Sequence, residues 1–273
     1  MSQCALIPGV THDNPQPLRQ EVEARGLQGC ATSYLLGPED YQLLLVEAPA
    51  VPEAELLEAL QWRVKDLIAY DVAEAVIDYV TLPEDAYRGR SRMLYVAVMN
   101  RQVSEQAEAL TRAVGLHLDI LDIPELALLN LSDLLPAEST GSALLGLQAG
   151  TSHINLLAEG QLYLTRSLEA PAEVLSPDAT DIESRASALV LDIQRSLDYY
   201  ESQIGKPPCL KLLVCPLQPG ETPLLSQFRY NLPVEVVQLD LGEWLTSAEP
   251  LTPLLQAQCL PAIAAALRPE GAA

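Results

Sequence analysis

At 273 residues, 49% of them hydrophobic, the chain can bury a substantial core as one large domain or two modest ones. Its net charge of −21, from 16 basic and 37 acidic residues, leaves no basic surface for nucleic acid or for direct docking on anionic lipid. Cys4, Cys30, Cys209, Cys215 and Cys259 are odd in number, widely spaced and without a Cys-x-x-Cys pair, as expected of reduced thiols in a cytoplasmic protein. Neither a signal peptide nor a run of apolar residues long enough to span a membrane is read.

In chain order, a short strand is expected before residue 10 and a helix over 18–25, ended by Gly26. Strands over 31–36 and 41–48 are joined at Gly37-Pro38-Glu39-Asp40, which reads as a hairpin-like turn. Pro49 and Pro52 bracket a boundary. A helix over 53–68 follows, with Leu56, Leu57, Leu60, Val64, Leu67 and Ile68 as its apolar face. Strands are expected at 75–82 and 93–99, the second apolar throughout and so buried on both faces. A helix over 102–114, a strand over 116–123 and a helix opened by Pro124 complete this half. The block 50–122 reads as a compact subdomain. Beyond Gly141, strands at 142–149, 154–157 and 162–166 form an antiparallel meander. A long helix then carries Ile182, Ala186, Leu189, Ile193, Leu197, Tyr200 and Ile204 on one stripe. Thr180 and Glu183 have the spacing of a capping box, and Gly205 with Pro207-Pro208 closes the helix. A strand at 210–215, a helix at 223–229, a strand at 234–239 and an Ala/Leu-rich terminal helix end an α/β pattern.

Catalytic machinery is scarce. His12, His117 and His153 lie at no metal-ligand spacing, which points to structural roles. There is no nucleophile elbow, no P-loop and no dinucleotide fingerprint. The acid pairs Glu84-Asp85, Asp119/Asp122 and Asp178/Asp181 fall in or beside loops, where solvated charge is the common case and acid–base work the rare one. The segment Gln148-Ala149-Gly150-Thr151-Ser152-His153 has two readings. Its small residues would let backbone N–H groups approach a phosphate, and they are equally ordinary hairpin-turn residues. Trp62, beside Arg63 and Lys65, is either an interaction hot spot or an extension of the core face.

Several stretches in order carry a resemblance. These are Ala59-Leu60-Gln61-Trp62-Arg63-Val64-Lys65-Asp66-Leu67-Ile68 with Ala73 to Tyr79; Met93 to Met99 with Arg101; Gly146 to Leu156 with Leu164-Thr165-Arg166; and Asp192-Ile193-Gln194-Arg195-Ser196-Leu197-Asp198-Tyr199-Tyr200. Together they resemble the PilM/MshI branch of the actin-like proteins, with wording closest to MshI of the MSHA pilus, and are similar also to the cytoplasmic part of GspL. The resemblance implies a two-lobed, actin-like, ribonuclease-H-type α/β fold. Residues 1–49 would begin lobe 1, 50–122 would be its inserted subdomain, 123–140 would return to lobe 1, and 141–273 would form lobe 2.

The resemblance also implies a cytoplasmic scaffold of MSHA or type IV pilus assembly, peripheral to the bacterial inner membrane. It would hold the cytoplasmic tail of a PilN-like or MSHA inner-membrane partner, in the neighbourhood of Trp62, Arg63 and Lys65. Self-association as a homodimer is compatible with it; membrane insertion and nucleic-acid binding are not expected. Gln148, Gly150, Thr151 and Ser152 would be what remains of a phosphate loop. Gln148 stands where an Asp would act, no first-hairpin motif is found in 1–30, and Pro216-Leu217-Gln218-Pro219-Gly220 replaces the glycine pair that cradles adenosine. The expectation is a pseudo-ATPase without cofactor. The rivals are an active ATPase using Mg·ATP at that loop and a GspL-like secretion component.

Overall fold

The computed structural model describes residues 4–87, 92–135, 141–148, 150, 152–170, 175, 181–217, 222–248 and 250–268. These form two compact bodies. Residues 7–84 and 92–123 make the first, and 4–6, 85–87 and 124–268 the second.

The first body is built on a three-stranded antiparallel sheet in the order β2–β4–β3, with β2 Tyr41–Glu47, β3 Ala75–Thr81 and β4 Met93–Asn100. The apolar run of β4 is buried on both faces, as its composition requires: Leu94, Val96 and Val98 on one side, Met93, Tyr95 and Met99 on the other. Leu94, Val96 and Val98 pack with Leu56, Leu60 and Val64 of α2, Leu56–Val64. A separate parallel pair joins β1, Ala31–Leu35, to β5, His117–Asp122. It packs with α1, Gln16–Ala24, and α3, Arg101–Ala113, through Val22, Leu110 and Val114. The side chain of Asn100 caps α3 by accepting from the Gln102 N–H.

Several expectations change here. The strands flanking Gly37–Asp40 do not form a hairpin, since β1 pairs with β5 and β2 with β4. The turn closes on itself: the Gly37 N–H donates to Asp40 Oδ2 and the Asp40 N–H to the Gly37 carbonyl, each at 3.0 Å. The chain therefore leaves in a new direction. The sheet that holds β4 also draws on residues before 50, since β4 pairs with β2, while β5 pairs with β1. The compact body starts at residue 7 and ends at Ile123. The helix expected over 53–68 is a 3-10 turn, Glu53–Glu55, followed by α2, which ends at Val64. Leu57 and Leu67, assigned to its apolar face, are exposed.

The second body holds a five-stranded sheet in the order β10-β9-β6-β7-β8. Its members are β6 Ser142–Gly146, β7 Ser152–Ala158, β8 Gln161–Leu168, β9 Lys211–Val214 and β10 Glu235–Gln238. The meander β6–β7–β8 is antiparallel, β9 runs parallel to β6, and β10 parallel to β9. Central β6 buries Ala143, Leu144 and Leu145 completely.

The helices of this body are α4 Pro124–Leu129, α5 Ile182–Tyr199, α6 Pro223–Asn231 and α7 Pro253–Ala266. The stripe of α5 is buried at Ala186, Leu189, Ile193 and Leu197. It continues through a π-turn, Tyr200–Ile204, which the periodicity did not announce, to Gly205 in the left-handed conformation. Of the expected capping box, Thr180 lies outside the described residues; Asp181 holds the N-cap position without a side-chain cap bond.

Candidate functional site

The candidate phosphate loop joins β6 to β7. Gln148, Gly150 and Ser152 are described; Ala149 and Thr151 are not. The Ser152 hydroxyl donates to the Gln148 carbonyl at 2.6 Å and accepts from the Gln148 N–H at 2.9 Å. It therefore closes the turn on itself, with its one donor in use. Gly150, at φ 83°, supplies the left-handed residue that the turn needs.

The Gln148 side chain turns towards α7. Its Nε2 donates to the Ala257 carbonyl at 3.2 Å. That carbonyl would ordinarily accept from the residue four positions later in the helix, which is Pro261 and has no N–H. The amide of Gln148 thus fills the acceptor that Pro261 leaves open. A carboxylate at position 148 would bring oxygen against oxygen. The sequence does carry this signal, a proline inside an apolar helix, but not which donor answers it.

The other candidate chemistry disperses. Among the described residues, no group of His, Cys, Asp and Glu side chains is placed to hold a metal ion. Asp85 accepts from Tyr163 Oη at 2.9 Å and from Lys206 Nζ, whose hydrogen bond is the leading cause holding its carboxyl below the usual range. Asp122 is buried and accepts from the Ile123 N–H. Asp178 lies outside the described residues. His12 and His117 are exposed, and His153 is buried in β7. Burial pushes the Cys209 thiol up to about 12, and burial with a side-chain hydrogen bond to the free thiol of Cys259 does the same for Cys4, so both remain protonated and poorly nucleophilic at neutral pH. Gln218 to Gly220, in the adenosine-loop position, lie outside the described residues.

The candidate partner surface is on α2. Leu56, Leu60 and Val64 recur every four residues and face the sheet. Trp62 is about 200° around the helix from Leu60. It is accordingly 72% exposed and does not widen the core face. Lys65 Nζ lies 5.6 Å from the Trp62 ring centroid, a cation–π distance. Arg63 is exposed beside them, and Leu57 and Leu67 leave further apolar surface at 46% and 53% exposure. The entry to α2 is anchored by a cluster that sequence reasoning missed. Arg92 Nη1 donates to Glu53 Oε2 and Arg92 Nη2 to Thr81 Oγ1, each at 2.8 Å. Tyr79 Oη donates to Glu53 Oε1, also at 2.8 Å. Glu53 and Arg92 lie 39 positions apart, and no local periodicity relates them.

No protein-family model matches the chain, and no curated protein does. Among solved structures it is similar to a chain of the PilM–PilN type IV pilus biogenesis complex, at 19% identity and a TM-score of 0.70, covering 95% of this chain and 87% of that one. It is also similar to the cytoplasmic domain of EpsL, an inner-membrane component of the type II secretion system of Vibrio cholerae. There the identity is 18% and the TM-score 0.46, over 90% of this chain and 80% of that one. A protein of Bacteroides thetaiotaomicron with an actin-like ATPase fold and unknown function matches at 10% identity and a TM-score of 0.45, over 88% of this chain and 80% of that one. The fold is actin-like, of mixed α/β elements in several sheets. Among the described residues, no helix is long and apolar enough to cross a membrane.

Proposed function

We propose that this protein is a docking component of a type IV pilus assembly machine, of the MSHA kind, that holds an inner-membrane partner's cytoplasmic tail on α2 without turning over ATP. The observation that carries the reading is Trp62: a large aromatic, 72% exposed, held under the Lys65 ammonium on a helix whose other face is locked into a sheet. A rigid aromatic beside Arg and Lys is the composition of an interface anchor. The fold shared with a chain of the PilM–PilN complex supports a PilN-like partner. The wording Trp62-Arg63-Val64-Lys65-Asp66-Leu67-Ile68 supports the MSHA branch. Gln148 supports the absence of hydrolysis, because its neutral amide is engaged by Ala257 where a carboxylate would be needed. Attachment to the inner membrane then runs through the partner.

The test is fluorescence anisotropy with a labelled PilN-like cytoplasmic tail. Wild type binds, and Trp62→Ala weakens the complex roughly 30-fold, as loss of about 2 kcal/mol at a hot spot requires. Urea denaturation of the same variant stays within about 0.5 kcal/mol of wild type, because an exposed side chain supports little of the core. Unchanged affinity in Trp62→Ala, or no binding at about 100 μM tail, would remove the α2 reading.

A further inference from the structure

The flank of α3 that adjoins its buried face, with buried Thr111 at the seam, forms one wall of a groove of about 390 Å³. Glu105, Glu108 and Arg112 recur along that wall at steps of three and four, so they share a helix face. Leu116, His117 and Leu118 make the other side, where the chain turns into β5. Leu116 and Leu118 are half-buried and supply an apolar floor, while His117 is exposed.

Two features point to an occupant. The first is backbone. β5 pairs only with β1, so one edge of it carries unpaired main-chain donors and acceptors among the described residues. An extended segment laid along that edge would complete them. The second is charge. Arg112 is already paired with Glu108. Glu105 makes no ion pair among the described residues, and Asp119 stands exposed two positions further along β5. The groove is therefore acidic in sum, on a chain whose net charge is −21. An anionic occupant is repelled, and so is a second copy of this chain. A segment alternating cationic and apolar residues matches both walls: its apolar side chains meet Leu116 and Leu118, and its ammonium or guanidinium groups meet Glu105.

We infer that the α3–β5 groove is a second docking surface, which takes an extended Lys- or Arg-rich segment of another protein by strand addition at β5. The surface is separate from Trp62, and the inference stands without the reading of α2.

The probe is a labelled short peptide alternating Lys and Val, titrated into the whole protein by anisotropy. The comparison peptides are one alternating Glu and Val, and one with the same number of lysines set among Gly and Pro. The Lys–Val peptide binds, and amide exchange slows over 117–122. Glu105→Lys weakens it roughly tenfold or more, while Glu201→Lys, the same charge change on an exposed residue of the π-turn, does not. The inference is overturned by equal binding of the Lys–Gly–Pro peptide, by equal losses in the two variants, by protection away from β5, or by no binding at about 1 mM peptide.

Discussion

At Gln148 a structural contact stands where we propose that a chemistry has been lost. In an active phosphate loop this position would present an acid to a metal-bound water. Here its amide answers the Ala257 carbonyl, whose helical donor is missing because Pro261 interrupts α7. Truncating Gln148 leaves that half-buried carbonyl without this donor. We expect Gln148→Ala to lose about 1–2 kcal/mol in urea denaturation. In a Pro261→Ala background the helix regains its own N–H at that position, and the loss should shrink. The double-mutant cycle reads this coupling directly; equal losses in both backgrounds would separate the amide from the proline. Gln148→Asp should be less stable than wild type and, on the proposed reading that Pro216 to Gly220 also replaces the adenosine loop, should gain no ATP hydrolysis.

At the scale of elements, α2 depends on a remote ion pair for its orientation. Glu53 opens the turn that leads into it, Tyr79 comes from β3, and Arg92 is the residue just before β4. The Arg92 hydrogen bond, then that of Tyr79, hold the Glu53 carboxyl below the usual glutamate range. A depressed carboxyl contributes fully above its unfolded pKa and loses its contribution as pH falls through the folded value. The pairing is therefore complete at neutral pH and weakens only in acid, below where a free glutamate protonates. Because the group is exposed, the effect on global stability is small. It should instead appear locally: amides of 53–56 exchange faster as pH is lowered through that range, after correction for intrinsic rates. Arg92→Ala should show the faster exchange already at neutral pH. The same variant should weaken tail binding, because α2 carries Trp62.

The whole molecule is an actin-like fold under a charge of −21. That field favours cationic partners and disfavours a nucleotide polyphosphate unless a dedicated cradle offsets it. Of the candidate cradle, the described part is a turn closed by Ser152 on Gln148. A site filled a hundredfold above its Kd would add about 2.7 kcal/mol of stability and raise the melting temperature by several degrees. We expect no shift with millimolar Mg·ATP. A clear upward shift would establish nucleotide binding and open the scaffold reading to nucleotide control.

Local pattern was sufficient wherever a feature depends on neighbours along the chain. The stripe from Ala186 to Ile204, the apolar run of β4 and the helix stop at Gly205 follow from period and backbone freedom alone. The position of Trp62 opposite Leu60 was also legible, because helix geometry sets the angle between them. Whether another element covers that face is a tertiary fact, and the structure leaves Trp62 bare. Pairing was the larger gap. A turn at Gly37–Asp40 marks where the chain bends, but not that β1 will join β5, which begins 86 positions after it at Ala31↔His117 (117 − 31). Register between distant strands, the meeting of Glu53 with Arg92 and the meeting of Gln148 with Ala257 each need two segments to be brought together by burial of a common core. Residue spacing alone carries no record of which segments those are.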